Sequence, residues 1–302
     1  MNDGRTKIIA AFAAVYILWG STYLAIRFAI ETMPPFLMSG VRFVIAGGLL
    51  FGFMAWKGEK LPTARQWRST AIIGALLLFG GNGGVVYAEE RGVASGLTAL
   101  LVATVPVWMA LLDWKSRGRL NPGAWVNAGL ALGFFGVAML VMQNGVAAVH
   151  IDAIGFASLV MASIAWAYGS IWARTADLPT SSLQTTGMQL LMGGMWLCLA
   201  GLLKGEAAHA GAAAWSLRSV AAFFYLIFFG SIIGYSAYVY ILKKSRPAMA
   251  GTYAYVNPAI AVFLGWALAG EKVTGITILA AMIIIASVAL ITMRPRQAPA
   301  RG

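Results

Sequence analysis

Polar and aromatic side chains that interrupt long apolar runs are the residues of this chain best suited to do chemistry. The clearest group lies in residues 253–258 (YAYVNP). A proline inside a helix removes a backbone donor and leaves the carbonyl four residues earlier without its partner. In a membrane, such backbone is tolerated where it faces protein or a watery cavity. We therefore expect Tyr253 and Asn257 to line a cavity beside a kink at Pro258. The alternative is a packed kink, with Asn257 bonded to a neighbouring helix.

A second proline gives the first half of the chain a similar feature. Residues 103–106 (ATVP) place Pro106 inside another apolar run, with Thr104 and Trp108 two residues away on either side. We expect Pro106 to form the counterpart of the Pro258 kink and Thr104 and Trp108 to face the same cavity. Two kinks of this kind would suit rocking motions about the centre of the molecule.

Residues 80–84 (GGNGG) form a small-residue run inside a third apolar stretch. The run lacks the Lys-Ser/Thr continuation of a phosphate-binding loop. Small residues allow helices to approach closely, and they also leave room for a cavity. Asn82 is the only strongly polar side chain in this run. We favour a cavity-lining position for Asn82 over a hydrogen bond between helices.

Several aromatic residues are predicted deep within apolar runs rather than at their ends. Trp19 shares a helical face with Tyr23, Ser231 shares one with Tyr235, and Trp166 lies deeper in another run than the aromatic residues at the run ends. Aromatic residues at the ends of such runs usually anchor the membrane interface. These deeper residues predict an amphipathic cavity wall, and simple packing is an equal alternative.

Arg27 and Arg42 are charged residues within apolar runs, and such residues are functional candidates by default. Both lie near the same predicted end of their runs, together with Glu31, Glu89 and Glu90. Snorkelling towards the interface, or an ion pair between Arg27 and Glu31, is the structural alternative. We favour a structural or gating role for both arginines over direct substrate binding.

Catalytic patterns are missing from the sequence. His150 and His209 lie in predicted loops, away from a buried serine or cysteine, and the single cysteine, Cys198, lies inside an apolar run. One cysteine cannot form a disulfide framework. We therefore expect a protein that binds rather than catalyses, with no cofactor and no metal ion.

The elements that must position these residues are membrane-spanning helices. The 302 residues are 60% hydrophobic and only 11% charged, whereas about a quarter of an ordinary soluble domain is charged. About 20 apolar residues cross the hydrocarbon layer as a helix. Ten apolar stretches reach that length, at residues 8–30, 35–55, 69–88, 93–113, 123–142, 151–172, 182–203, 217–241, 247–269 and 274–293.

The distribution of basic residues sets the orientation of these stretches. With the N-terminus in the cytoplasm, 16 Lys and Arg residues fall in cytoplasmic segments and only four outside, namely Arg91, Lys204, Arg218 and Lys272. Cytoplasmic loops carry an excess of Lys and Arg. The ratio favours an even number of crossings with both termini in the cytoplasm. The net charge of +12 is therefore interpreted as a topology signal and not as a nucleic-acid surface.

The two halves of the chain also resemble each other. The matched pairs are Trp19 with Trp166, Arg27 with Arg174, Gly80 with Gly230, Gly84 with Gly234, Pro106 with Pro258, and Trp114 with Trp266. Five crossings in each half would place the second half upside down relative to the first. Inverted repeats of this kind place a site near the midplane between them. We predict an all-α integral membrane protein with repeats at 1–146 and 147–302, the second ending in a short tail, around a central cavity.

Several short motifs resemble the EamA-type branch of the drug/metabolite transporter superfamily. They are residues 19–23 (WGSTY), 41–43 (VRF), 103–106 (ATVP), 229–231 (FGS), 253–258 (YAYVNP) and 270–272 (GEK). The resemblance covers the whole chain. It implies a ten-helix basket around a central cavity and export of metabolites such as amino acids, as in the YddG-like amino-acid exporters, or of drugs in some relatives. Arg119 departs from the pattern, because the second repeat has Glu271 at that place.

The function that we expect is export of small metabolites, with amino acids favoured, by alternating access in the bacterial inner membrane. Expulsion of drugs or lipophilic cations is the main alternative, and a channel is a weaker one because no continuous polar lining is evident. The expected partners are the lipid bilayer and a small-molecule substrate, and not nucleic acid. The oligomeric state is left open, with a monomer as one option.

Overall fold

The computed structural model describes residues 2–93, 95–116, 123–143, 152–209, 211, 215–269 and 274–292. Among these residues every regular element is helical and no strand is present. The helices, in chain order, are α1 (Asn2–Ile30), α2 (Pro35–Trp56), α3 (Ala64–Glu90), α4 (Ser95–Val102), α5 (Val105–Ser116), α6 (Ala124–Gln143), α7 (Ala153–Trp172), α8 (Ser182–Leu203), α9 (Leu217–Lys244), α10 (Pro247–Ala250), α11 (Tyr253–Ala269) and α12 (Gly275–Thr292). The prediction of an all-helical chain is confirmed for this part of the protein.

Seven helical stretches in the described residues are long and apolar enough to cross a membrane. They are α1, α2 and α3, the stretch Thr98–Lys115 that joins α4 and α5, and α7, α8 and α9. Helices α6, α11 and α12 overlap the three remaining predicted ranges but are not among the seven. The all-helical membrane character is therefore confirmed, and the count of ten crossings stays a prediction.

Polar residues just before the helices fix several helix starts. The side chain of Thr63 accepts a hydrogen bond from Gln66 N at 3.2 Å, and the Gln66 side chain accepts one in return from Thr63 N at 3.1 Å. This is the reciprocal capping box that satisfies two free backbone donors at a helix start. Asp152 caps α7 in a similar way by accepting from Gly155 N at 2.7 Å. The starts of α3 and α7 are thus encoded locally.

Glycines bring the backbones of two helix pairs into close contact. Helix α2 packs along α8, where Gly40 and Gly47 face Gly194 and Leu191 at distances that leave no room for a side chain. Helix α6 packs along α12 in the same manner, and Ser287 Oγ donates to Gly129 O at 2.8 Å. Small residues at helix contacts allow this approach in membranes. Each of these pairs joins one helix from the first half of the chain to one from the second half.

Two breaks in the helices lie before Pro106 and Pro258 rather than at them, and the predicted kinks at these prolines stay predictions. The first break is a two-residue turn at Ala103 and Thr104, between α4 and α5, and Pro106 is the second residue of α5. The second is a turn at residues 251–252, between α10 and α11, whereas Pro258 lies inside α11. Pro106 cannot donate to the carbonyl of residue 102, and the residue before a proline disfavours helical backbone. The helix therefore breaks before Pro106 and not at it.

Candidate functional site

Five aromatic side chains from four helices form one cluster in the middle of the molecule, which we call the aromatic floor: Trp19, Trp166, Tyr235, Tyr238 and Tyr253. The rings of Trp19 and Trp166 meet edge to face, with centroids 5.7 Å apart and planes at 78°. Trp19 also lies 4.9 Å from Tyr253 and 5.1 Å from Tyr238, measured between ring centroids. Such edge-to-face and tilted contacts are the favourable geometries of aromatic pairs.

Four of the five floor residues, Trp19, Trp166, Tyr235 and Tyr238, make hydrogen bonds through their side chains. Trp19 Nε1 donates to Gly230 O at 3.1 Å, and Trp166 Nε1 donates to Tyr238 Oη at 2.9 Å. Tyr235 Oη donates to Gln189 Oε1 at 3.1 Å. Buried aromatic N–H and O–H groups need such partners, because an unpaired polar group in an apolar interior is costly. The rings are therefore held in fixed orientations.

A cavity of about 140 Å³ lies against the aromatic floor. A comparable volume, about 150 Å³, holds a benzene ring in other proteins. Its polar wall comes from side chains of α1, α3, α7, α9 and α11, which are Thr22, Asn82, Ser163, Ser231 and Asn257. Apolar side chains such as Phe43 and Leu78 complete it. A mostly apolar pocket with a few polar groups is the usual form of a small-molecule site.

Two charged side chains of opposite sign line this cavity, Arg42 from α2 and Glu89 from the last turn of α3. Arg42 is buried, and its Nη2 donates to Asn82 Oδ1 at 3.3 Å. Its guanidinium carbon lies 4.4 Å from the centroid of the Phe43 ring. The cavity therefore combines one cation and one carboxyl group with an aromatic floor.

Two π-helical segments shape the cavity wall, one in α3 (Ala75–Gly83) and one in α9 (Leu226–Tyr235). A Cβ atom added to Gly81 would lie 2.6 Å from the Trp166 ring, and one added to Gly234 would lie 2.6 Å from Trp19 Nε1. π-helical turns are rare and are frequent at functional sites. The glycine in each segment has no side chain and therefore leaves room for one tryptophan of the floor to pack against the helix.

The structure brings most of the predicted residues to this cavity. Its lining includes Trp19, Asn82, Trp166, Ser231, Tyr235, Tyr253 and Asn257, and also Arg42. Asn257 is buried, and with its amide nitrogen oriented towards acceptors it lies 3.0 Å from Tyr253 O and 3.3 Å from Tyr16 O. The predicted interhelical hydrogen bond and the predicted cavity position of Asn257 therefore occur together. The side chain of Tyr23, on α1, lies outside the part of the chain that the structure describes.

Other predicted residues are not among those that line the cavity. Trp108 Nε1 donates to Thr104 Oγ1 at 3.1 Å, one turn along α5, and neither residue lines the cavity. Pro106 packs beside Gly251, and Pro258 also lies outside the lining. Arg27 is exposed, and its suggested partner Glu31 lies 3.7 Å from Arg218 instead. The Arg27–Glu31 pair is therefore replaced by one between α1 and α9.

Besides apolar residues, the structure adds four polar side chains to the cavity or its floor that the sequence patterns do not predict as site residues. They are Thr22, Glu89, Ser163 and Tyr238. Helical spacing was the signal that could have found them, because residues three, four or seven apart share a face. Thr22 follows Trp19 by three, Ser163 precedes Trp166 by three, Tyr238 follows Tyr235 by three, and Glu89 follows Asn82 by seven.

Ion pairs gather at one end of the helix bundle, which we call the ion-pair end. They are Glu90 with Lys204, Arg91 with Asp152, and Glu31 with Arg218. The hydrogen bond from Arg91 to Asp152 is the main reason that the pKa of the Arg91 guanidinium is raised. The residues between them, Tyr87, Glu90, Arg91, Asp152 and Lys204, line a surface depression. The main cavity extends from the aromatic floor towards this end, as far as Glu89.

Hydrogen bonds at the opposite end connect different helices, and we call this the basic end. Arg174, just after α7, donates through Nη1 to Leu242 O at 2.7 Å and to Ser245 O at 2.6 Å. Lys243 of α9 donates to Pro179 O at 3.2 Å. No group of three His, Cys, Asp or Glu residues that could hold a metal ion is found in the described part of the chain.

A cavity between the helices of a membrane protein is the arrangement in which membrane transporters bind a small molecule. The EamA-like transporter family model matches residues 6–142 and again residues 153–293. The chain therefore belongs to the EamA-like transporter family. It is a membrane transporter that acts on a small molecule within a lipid bilayer, and it is not an enzyme.

Comparisons with individual proteins agree with this assignment. The chain is 38% identical over 294 residues to the inner membrane transporter YedA of Escherichia coli (strain K12), covering 97% of this chain and 93% of YedA. It is 23% identical to the transporter YoaV of Bacillus subtilis (strain 168), covering 92% of this chain and 94% of YoaV. A solved crystal structure that is 19% identical superposes with a TM-score of 0.77, covering 95% of this chain and 97% of that one. The last similarity concerns the fold alone.

Proposed function

We propose that this protein exports small metabolites, amino acids above all, across the bacterial inner membrane by alternating access. The observation that carries the proposal is the cavity, which joins an aromatic floor, amide and hydroxyl groups, and two opposite charges. An amino acid could place its apolar side chain against the aromatic floor. Its ammonium and carboxylate groups would then be met by the amide, hydroxyl and charged side chains of the cavity. The resemblance to the YddG-like amino-acid exporters points to the same cargo.

The proposed architecture is ten crossings in two inverted five-helix repeats, residues 1–146 and 147–302. The two separate family matches support the division into halves. Exchanged helix contacts support the symmetry, because α1 packs against α9 and α11 whereas α7 packs against α3 and α5. The π-helical segments and the two-residue breaks also recur once in each half. A site between inverted repeats is the arrangement on which alternating access depends.

The proposed orientation places both termini and the basic end in the cytoplasm. Basic residues favour the cytoplasmic side by 16 to 4, which is the expected bias. The ion-pair end then faces the periplasm. The relative YedA bears the description of an inner membrane transporter, which supports the same membrane for this chain.

The pattern of polar contacts suggests which half of the transport cycle this structure represents. At the basic end, Arg174 links the end of α7 to the end of α9. In the aromatic floor, the hydrogen bond from Trp166 to Tyr238 joins the same two helices. At the ion-pair end, the pairs join α3 to α7 and α8, or α1 to α9. Because the cavity extends from the floor towards the ion-pair end, as far as Glu89, we propose an outward-facing form, closed to the cytoplasm by the floor and by Arg174. Transport would require these links to break as the periplasmic end closes.

Export of lipophilic cations is the second candidate, and Glu89 is the observation that favours it. A carboxyl group beside an aromatic floor can bind an organic cation through charge and cation–π contacts. Arg42 in the same cavity opposes that binding, because like charges repel in an environment of low dielectric constant. The pair of opposite charges therefore favours a zwitterion over a cation.

A competition experiment tests the proposed cargo. Purified protein in liposomes is given one labelled neutral amino acid, and a panel of unlabelled amino acids, sugars and cationic dyes competes for uptake. We expect neutral amino acids to compete and sugars to have no effect. Uptake of cationic dyes, together with failure to move any amino acid, would favour the second candidate instead.

A further inference from the structure

Arg42 is an unusual residue for its position. It lies in α2, and only 4% of its surface is exposed. A charged side chain within a membrane span is costly and usually faces a cavity or a partner. Arg42 faces the cavity described above, on the same wall as Asn82. Its position therefore needs an explanation that packing alone does not provide.

The described surroundings leave the guanidinium group only partly satisfied. An arginine has five N–H donors, and the contact found for Arg42 is the one from Nη2 to Asn82 Oδ1 at 3.3 Å. Its Nε is buried without a hydrogen-bond partner in the described part of the chain. The arginine ion pairs there involve Arg65, Arg91 and Arg218, and Arg42 is not among them. A buried charge without a counter-ion is strongly unfavourable unless an anion binds to it.

We propose that Arg42 is the receptor for a carboxylate group of the cargo. A guanidinium group matches a carboxylate with two parallel N–H···O bonds, and the Arg42 side chain lines the cavity. Asn82 holds the guanidinium from one side, while the Phe43 ring supports it at 4.4 Å. This inference rests on the proposed function, because it names the chemical group by which the same cavity selects its cargo.

Glu89 is the other charged side chain among the described residues that line the cavity. It lies two turns along α3 from Asn82, the residue that contacts Arg42. The assignment of the carboxylate therefore rests on Arg42, and Glu89 adds a negative charge nearer the ion-pair end. The aromatic floor is then left for the side chain of the cargo. An amide of the same amino acid lacks the negative charge and the second acceptor oxygen, so it would lose the paired, charge-assisted bonds to Arg42 and keep its contact with the aromatic floor.

Ligand pairs that differ only in the carboxylate test this assignment. Binding of leucine and of leucinamide is measured by calorimetry on the purified full-length protein, in the wild type and in Arg42→Gln and Arg42→Lys. We expect Arg42→Gln to weaken leucine binding by about 10- to 100-fold, the range for a hydrogen bond to a charged group, and to leave leucinamide binding nearly unchanged. Arg218→Gln, an exposed arginine at the ion-pair end, is the matched control and should preserve the preference for leucine.

The possible outcomes distinguish the proposed role of Arg42 from the proposed amino-acid cargo. Equal weakening of both ligands, or none, would overturn the role of Arg42 while amino-acid transport still stands. If the wild type binds no amino acid, the proposed cargo is wrong, and propionate and benzoate then replace leucine in the same assay. Binding of those carboxylates that depends on Arg42 would still support its role, and no binding of any carboxylate would overturn it. If Arg42→Gln fails to fold, two other measurements test the proposal: the preference of the wild type for leucine over leucinamide, and the same preference in Arg42→Lys. Equal affinities of the wild type for leucine and leucinamide would contradict the proposal.

Discussion

Trp19 and Trp166 meet edge to face at the aromatic floor, with ring centroids 5.7 Å apart. Trp19 comes from the first family-matched segment and Trp166 from the second. Each ring packs on the glycine surface of a π-helical segment from the other half, Trp166 against Gly81 and Trp19 against Gly234. Contact between these two residues is therefore one of the places at the aromatic floor where the two halves of the molecule touch.

Removal of the Trp166 ring should slow transport while the protein remains folded. Trp166→Ala deletes its aromatic contacts and its hydrogen bond to Tyr238. Aromatic pairs contribute about 0.5–1.5 kcal/mol, so we expect uptake in proteoliposomes to fall by about 2- to 13-fold. Trp196→Ala is the matched control, because Trp196 lies on α8 with an exposed side chain. Equal rates for Trp166→Ala and Trp196→Ala would remove Trp166 from the site.

The Asn257 side chain should matter in the same assay. Asn257→Ala removes an amide that lies in the cavity wall and faces the carbonyl of Tyr16 on α1. The lost hydrogen bonds correspond to about 0.5–1.5 kcal/mol each, and we expect slower uptake with an unchanged elution volume on size exclusion. An uptake rate equal to that of the wild type would show that this amide does not serve the cargo.

Side chains added at the π-helical segments should destabilise the protein. In Gly81→Ala the new Cβ would overlap the ring of Trp166, and in Gly234→Ala it would overlap Trp19. Overpacking of this kind costs about 1–3 kcal/mol, so the midpoint of thermal unfolding in detergent should fall for both variants. Gly48→Ala is the control, since a Cβ there meets nothing within 4 Å. Similar midpoints for all three variants would contradict the packing described for the floor.

Loss of the Arg174 contacts should shift the protein towards a form open to the cytoplasm. Arg174→Gln removes charged donors to two carbonyls at the end of α9. Each such bond contributes about 1.5–3 kcal/mol, so the equilibrium should move by about tenfold or more. The reporter is a cysteine at Val85 in a Cys198→Ser background, labelled from outside with an impermeant reagent. We expect slower labelling in Arg174→Gln and no change in Arg65→Gln, whose ion pair with Asp177 is exposed. Labelling at the wild-type rate in Arg174→Gln as well as in Arg65→Gln would show that Arg174 does not hold the cytoplasmic end closed.

The membrane orientation is testable with reporter fusions. A fluorescent protein that folds only in the cytoplasm, fused after residue 302, should fluoresce because both termini are predicted inside. Alkaline phosphatase inserted after Gly205, at the ion-pair end, should be active because that end is predicted outside. The opposite pattern at both sites would reverse the proposed direction of the cavity.

The helical membrane fold was predictable because it depends on bulk composition and on the length of apolar runs. The deep aromatic residues were predictable as well, since Trp19, Trp166 and Tyr235 stand near the middle of their runs. Helix breaks were harder to place. Pro106 and Pro258 mark the right regions, but the breaks depend on the turns that precede them, and a proline limits backbone without fixing where the chain turns.

The charged part of the site depends on tertiary contacts that spacing does not encode. Arg42 and Arg27 are both arginines inside apolar runs, at the same predicted end of the bundle, yet of the two only Arg42 lines the cavity. Its direction is set by the neighbouring α3, which presents Asn82 to it. Glu89 was expected at a helix end and is found there, but the cavity extends far enough to include it. The shape of a cavity follows from packing between helices, which one chain's pattern does not specify.

Counterflow of a single labelled amino acid tests the central claim most directly. Liposomes that contain the protein are loaded with unlabelled leucine and diluted into a trace of labelled leucine. A carrier that alternates between two sides should accumulate label transiently above its equilibrium level, and Trp166→Ala should reduce that peak. A wild-type protein that shows no transient accumulation of any neutral amino acid, while it expels cationic dyes or conducts ions continuously, would contradict the account.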